Sequence, residues 1–378
     1  PYQTLVTDTE STAVFGKVTF SLTDTLRLTA AGRYTEDKKR FDGVGIENSE
    51  ENRRAYRELL LTTPKLGDYI SGAILYDETI RQATKAGVPF TKVMTDNGVI
   101  PGIKVDKGPF PLAGFPGEVV TEGLDGLRAR LEEYYKLGAR FAKWRAVINI
   151  GEDIPSGTCI EANAHALARY AALCQEQGLV PMVEPEVLMD GAHDIETCYE
   201  VTEVTLRALF DALYQHNVAL EGTILKASMV LPGSESGEKA SIEEVAEATL
   251  MCLKSTVPAI LPGIVFLSGG QSDEDATAHL DAMNRMGPNP WPLSFSYGRA
   301  MQSAALQLWS KDLTGNVAKA QQTVDNAHMR YFIVHMHREP ASRAVVAAAI
   351  EMGRVLGRRV VAEGVEHERD IELLRELG

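Results

Sequence analysis

Hydrophobic and polar positions change rhythm twice along the chain. Up to about residue 37 they alternate: Thr12-Ala-Val-Phe-Gly-Lys-Val-Thr-Phe-Ser-Leu, a turn at Thr23-Asp24, then Leu26-Arg-Leu-Thr-Ala-Ala-Gly-Arg-Tyr. A period of two predicts a β-hairpin. From about 39 to 320, short apolar runs alternate with longer stretches at helical spacing. The runs predict strands at 69–75, 99–105, 140–148, 180–187, 218–225, 264–267 and 293–295, with helices such as 126–137, 161–177, 194–216 and 242–255 between them. Beyond 321 the pattern predicts a helix from Ser342 to a stop at Gly357, a strand at 359–365 and a helix at 368–377.

Strand–helix alternation implies a parallel sheet with crossover helices. The central region offers seven strands, and a closed (β/α)8 barrel needs eight. The first strand's place falls on the hairpin sequence. The expected fold is therefore α/β: a (β/α)8 TIM barrel with its first strand substituted, plus an N-terminal β-hairpin and a C-terminal helix–strand–helix. The corresponding units are 1–38, 39–320 and 321–378.

Polar residues gather where these strands end. Tyr76-Asp77-Glu78 follows one, Lys104 and Asp106 share a face, and Lys143 and Arg145 share a face with Trp144 opposite. Glu184 and Glu186 come next, then Lys226, Ser268-Gly269-Gly270 and Tyr297-Gly298-Arg299. In a barrel those ends converge on one mouth. Lys226 stands in an apolar, β-branched run closed by Pro232 and Gly233. Burial disfavours an ammonium and lowers its pKa, and a neutral amine can attack a carbonyl to form a Schiff base.

Composition narrows the partners. A formal charge of -14 over 378 residues argues against a nucleic-acid binder. No apolar run approaches the roughly 18 residues of a membrane helix. Cys159, Cys174, Cys198 and Cys252 are far apart, as reduced thiols of a cytoplasmic protein would be. No signal peptide is visible, and the chain opens at Pro1 and stops inside a helical pattern, as if cut at both ends. His335 and His337 have a metal-like spacing without a third ligand, so no metal site is expected.

Several blocks resemble class I fructose-bisphosphate aldolase. They are Asn48-Ser-Glu-Glu-Asn-Arg-Arg54, Gly102-Ile-Lys-Val-Asp-Lys-Gly108, Phe141-Ala-Lys-Trp-Arg145, Val183-Glu-Pro-Glu186, Leu220-Glu-Gly-Thr-Ile-Leu-Lys226, Phe266-Leu-Ser-Gly-Gly-Gln-Ser272 and Leu293-Ser-Phe-Ser-Tyr-Gly-Arg299. The resemblance implies metal-independent cleavage of fructose 1,6-bisphosphate in glycolysis and gluconeogenesis, with no cofactor. It makes Lys226 the Schiff-base lysine, Glu184 the proton shuttle and Lys143 the second lysine of the catalytic site. Lys104, Arg145 and Glu186 would bind substrate or support the network. Ser268, Gly269 and Arg299 would hold one phosphate, and Lys39 and Arg40 the other. It implies a phosphosugar as the small-molecule partner and a homo-oligomer, tetrameric in the family.

One departure matters. The family's first strand ends in an aspartate that handles the C4 hydroxyl proton, and here that place is Ala31, followed by Gly32 and Arg33. The family's C-terminal tail is replaced as well. The resemblance thus carries a second expectation: a barrel that binds phosphosugar or forms the imine without efficient turnover. The flanks look different again. Residues 1–39 resemble a hairpin of a TonB-dependent receptor. Residues 321–378 are similar to the late part of an EAL-type phosphodiesterase domain, with Glu363 at that family's strand glutamate. Three resemblances joined without linkers suggest a chimera.

Overall fold

The computed structural model describes residues 14–23, 26–34, 40–296 and 298–324. His335, His337, Glu363 and the expected C-terminal helix–strand–helix lie outside the described residues. In chain order the strands are β1 (Val14–Thr23), β2 (Leu26–Tyr34), β3 (Gly72–Leu75), β4 (Ile100–Lys104), β5 (Gly108–Pro111), β6 (Val119–Glu122), β7 (Phe141–Ile148), β8 (Val180–Val187), β9 (Ile224–Ala227), β10 (Ile264–Phe266) and β11 (Leu293–Phe295). The helices are α1 (Glu50–Leu61), α2 (Leu66–Tyr69), α3 (Asp77–Arg81), α4 (Phe90–Asp96), α5 (Leu127–Lys136), α6 (Gly157–Glu176), α7 (Ile195–Gln215), α8 (Ile242–Thr256), α9 (Asp273–Arg285) and α10 (Arg299–Trp309).

Helix starts follow the sequence closely. Ser49, Ser156, Asp194, Ser241 and Ser272 each cap a helix by accepting the N–H three residues on, at 2.8–3.2 Å. At Ser241 the Glu244 carboxylate also returns to the cap N–H, completing a capping box.

Seven strands form one sheet in the order β11-β10-β9-β8-β7-β4-β3, every pairing parallel. Alternate residues face the two sides. On β7, Trp144 is fully buried outward and packs on Tyr170 of α6 at a centroid distance of 5.5 Å. Ala146 and Ile148 also look outward, onto α6 and α7. Lys143 and Arg145 are thereby turned inward.

The sheet is curled, and among the described residues its outer layer closes where the strands do not. β3 and β11 are its two edges. Yet α1, which precedes β3, meets α10, which follows β11. Tyr56 stacks on Trp309 at 5.4 Å, Phe41 lies 6.2 Å from the same indole, and the Tyr56 hydroxyl donates to the Gln302 carbonyl at 3.2 Å. All three rings are almost fully buried.

The hairpin expected before residue 37 is present: residues 28–31 of β2 pair antiparallel with residues 17–20 of β1. Three expectations need correction. The strand expected at 218–225 is shorter and later: Leu220–Gly222 makes a 3-10 turn, and β9 starts at Ile224. Asn217 at φ 52° bends the chain there, so Lys226 lies within its strand. The strand expected from 69 begins at Gly72, because Tyr69 closes α2. Asp77 and Glu78 are taken up by α3: Glu78 pairs with Arg53 and Arg57 at 2.7 Å, and Asp77 with Arg81 at 2.9 Å.

Trp309→Ala should cost about 3–5 kcal/mol, because it removes the indole on which both ends of the ring rest. Urea unfolding reads this as a lower midpoint at unchanged slope. A loss below about 1 kcal/mol would show that the ring is held elsewhere.

Candidate active site

Three neighbouring strands bring opposite charges together. Lys104 on β4 is in register with Lys143 on β7, and Arg145 with Glu184 on β8. β9 pairs with β8 through Ile224 and Leu225, which leaves Lys226 one step further along, level with Glu184.

Glu184 is the hub. Its Oε1 lies 3.0 Å from the Lys226 ammonium nitrogen, and its Oε2 pairs with Lys143. The three side chains are 4%, 11% and 9% exposed respectively, so the triad is nearly dry. Around it, Arg145 pairs with Glu186, and Lys104 pairs with Asp106. Arg145 and Lys104 keep 38% and 24% of their side-chain surface exposed, which lets them meet a ligand as well. Asp106 also accepts the Arg145 backbone N–H at 3.2 Å, tying β4 to β7 at the mouth.

Charge balance bears on Lys226. Lys104, Lys143 and Arg145 face Asp106, Glu184 and Glu186, three against three. A neutral Lys226 leaves this cluster balanced, and a protonated one leaves it with a surplus cation in a low-dielectric pocket. Burial pushes the Lys226 amine below the ordinary lysine range; Glu184 opposes this and the Lys143 ammonium reinforces it. A lowered amine pKa favours the nucleophilic form of a lysine, and Glu184 is within proton-transfer reach of this one.

Next to the lysine strand, Ser268–Gln271 forms a tight turn after β10. The Gln271 N–H donates to the Ser268 carbonyl at 3.0 Å, and Gly269 and Gly270 take φ values of +59° and +96°. Two successive left-handed residues demand glycine. A Cβ on Gly270 would lie 2.9 Å from the Met189 sulfur. Among the described residues, the N–H groups of Gly269 and Gly270 make no hydrogen bond. Such amides beside a helix start suit an anion.

The other expected site residues are placed less fully. Half-buried Arg40 donates to the Gln302 side chain at 3.1 Å. Arg299 opens α10, and its side chain lies outside the described residues, as does Lys39. Ala31, Gly32 and Arg33 are in β2, away from the seven-stranded sheet's pairing. Asp106, which the alternation put on one face with Lys104 but the resemblance left out of the site, holds both Lys104 and the Arg145 N–H.

Sheet and site together define a class: parallel-sheet barrels whose charged strand ends surround a buried amine. A family model described as fructose-bisphosphate aldolase class-I matches residues 28–330. The chain is 82% identical over 286 residues to a probable fructose-bisphosphate aldolase class 1 of Xanthomonas campestris pv. campestris, covering 76% of this chain and 86% of that protein. It is 56% identical over 285 residues to the cytosolic fructose-bisphosphate aldolase 4 of Arabidopsis thaliana, covering 75% and 72%. Among solved structures it is similar to fructose-bisphosphate aldolase from Plasmodium falciparum, crystallised with TRAP and a small-molecule inhibitor, with a TM-score of 0.75 and 48% identity over 77% of this chain and 84% of that one. This chain belongs to the class I fructose-bisphosphate aldolase family.

The depressed Lys226 pKa fixes a sign for stability. Between the folded value and 10.5, the ordinary lysine value, the unfolded chain holds more protons than the folded one. Stability of the wild type relative to Lys226→Met should therefore rise as pH climbs through that window, read by urea unfolding at several pH values. A difference that falls with pH contradicts the buried-amine account.

Proposed function

We propose that this chain cleaves fructose 1,6-bisphosphate into dihydroxyacetone phosphate and glyceraldehyde 3-phosphate through an imine on Lys226. The observation that carries this is the buried Lys226–Glu184–Lys143 triad. The neutral Lys226 amine adds to the C2 carbonyl. Glu184 moves the protons needed to expel water, leaving an iminium. The C3–C4 bond then breaks, its electron pair passes to the iminium to give an enamine, and the C4 hydroxyl loses its proton as the aldehyde leaves. Protonation at C3 and addition of water release the ketone and restore the amine.

In this reading Lys143 keeps Lys226 neutral and steadies developing negative charge. Glu186 holds Arg145 so that the guanidinium and Lys104 can meet the substrate. Ser268 and Gly269, with Arg299, take one phosphate; Lys39 and Arg40 take the other. Arginine suits phosphate because it donates two parallel hydrogen bonds. A cytoplasmic homo-oligomer, tetrameric as in the family, completes the proposal, with the units 1–38, 39–320 and 321–378 read as a barrel between two fragments of other origin.

A second reading has its own support. The segment holding Ala31 pairs with β1 and not with β3 or β11. Ala31 cannot take the C4 proton, and losing a general base typically costs about 10²–10⁴ in rate. The chain would form the imine faster than it cleaves.

Borohydride trapping with dihydroxyacetone phosphate, followed by peptide mass spectrometry, tests both. The expected result is one reduced adduct on Lys226, abolished in Lys226→Met. An adduct with cleavage about 10²-fold or more below imine formation selects the second reading. No adduct in the wild type overturns both.

Lys143→Met should shift the pH midpoint of trapping upward, since the neighbouring ammonium that disfavours a charged Lys226 is gone. An unchanged midpoint would remove Lys143 from that role.

A further inference from the structure

The phosphate turn has a support that neither its motif nor the triad requires. His279 sits in the second turn of α9 and is 6% exposed. Its neighbours on the buried face of α9 are Ala276, Ala278, Ala282 and Met283. An imidazole in such surroundings is costly unless it is hydrogen-bonded. Its Nδ1 lies 2.7 Å from the Gln271 side-chain oxygen. That oxygen only accepts, so Nδ1 carries the proton and donates. Burial also keeps the ring below the ordinary histidine range, with Asp275 and Glu243 opposing, which favours a neutral ring protonated at Nδ1.

The far end of Gln271 is equally committed. Its amide nitrogen donates to the Ser268 carbonyl at 3.1 Å and to the Met229 sulfur at 3.6 Å. The Ser268 carbonyl thus accepts both the backbone and the side chain of Gln271. That carbonyl and the Gly269 N–H belong to one planar trans peptide, so they point in opposite directions. Holding the carbonyl inward aims the Gly269 N–H outward. Met229 is buried three residues beyond Lys226, so the same glutamine ties the turn to the lysine segment.

We propose that His279 is a positioning residue that, through Gln271, locks the Ser268–Gly269 peptide with its N–H facing the phosphate and sets the turn against the Lys226 segment. The inference rests on the reading of Ser268 and Gly269 as a phosphate site.

The test compares wild type with His279→Leu, which removes the donor, and His279→Asn, whose amide nitrogen can occupy the place of Nδ1. Two quantities are measured: the dissociation constant for inorganic phosphate by calorimetry, and the rate of borohydride trapping with unphosphorylated dihydroxyacetone. His279→Leu should weaken phosphate binding and raise the KM for the bisphosphate by about tenfold, the scale of one lost hydrogen bond, with trapping of the unphosphorylated ketone unchanged. His279→Asn should restore phosphate binding to within about twofold of wild type. Wild-type affinity in His279→Leu, or equal losses in both variants, overturns the proposal. If His279→Leu does not fold, Gln271→Leu carries the same expectation, and wild-type phosphate affinity in that variant overturns it. A wild type that traps the ketone but binds no phosphate defeats this inference alone; one that does neither defeats the aldolase reading beneath it.

Discussion

The attraction between Glu184 and two lysines, in a place almost without water, is the constraint on which the rest depends. One carboxylate faces two buried lysines, and burial and the Lys143 charge push the Lys226 pKa down while Glu184 opposes them. In the aldolase reading that makes Lys226 the amine available for chemistry. The neighbouring pairs leave Glu184 to these two lysines. Glu186 occupies Arg145 and Asp106 occupies Lys104, so neither cation competes for Glu184. Removing any one carboxylate would tip the balance of the whole mouth.

The fold makes this arrangement possible by register. Parallel strands staggered by fixed pairings place Lys104 beside Lys143 and Arg145 beside Glu184. The alternation that turns Lys143 and Arg145 inward also turns Trp144 outward onto Tyr170, so the packing of the helix layer fixes the direction of the charges. Where the sheet has edges, the Tyr56–Trp309 stack holds the ends of the outer layer together. The ring of helices is therefore more complete than the ring of strands.

Much of this was legible along the chain. Period-two alternation put Lys143 and Arg145 on one face and Glu184 and Glu186 on one face, where they form ion pairs, because inward and outward positions on a buried strand have different chemistry. Strand limits were harder: 218–225 looks like a strand by residue type, but Asn217 and a 3-10 turn displace β9 to Ile224. Asp77 and Glu78 looked like mouth residues because nothing local reveals that arginines from α1 and α3 will claim them. The β5–β6 hairpin, rich in proline and glycine, gave no alternating signal. The His279–Gln271 bond spans eight residues and needs the actual turn geometry to appear.

The most direct test is an NMR titration of the Lys226 side chain in protein carrying 13C at lysine Cε, assigned with Lys226→Met. The account predicts a midpoint below 10.5, the ordinary lysine value, in the folded protein, moving upward in Lys143→Met. A midpoint at or above that value would mean that Glu184 stabilises a charged Lys226 more than burial and Lys143 destabilise it. The site would then be a structural ion cluster, and the buried amine could not be the centre of its chemistry.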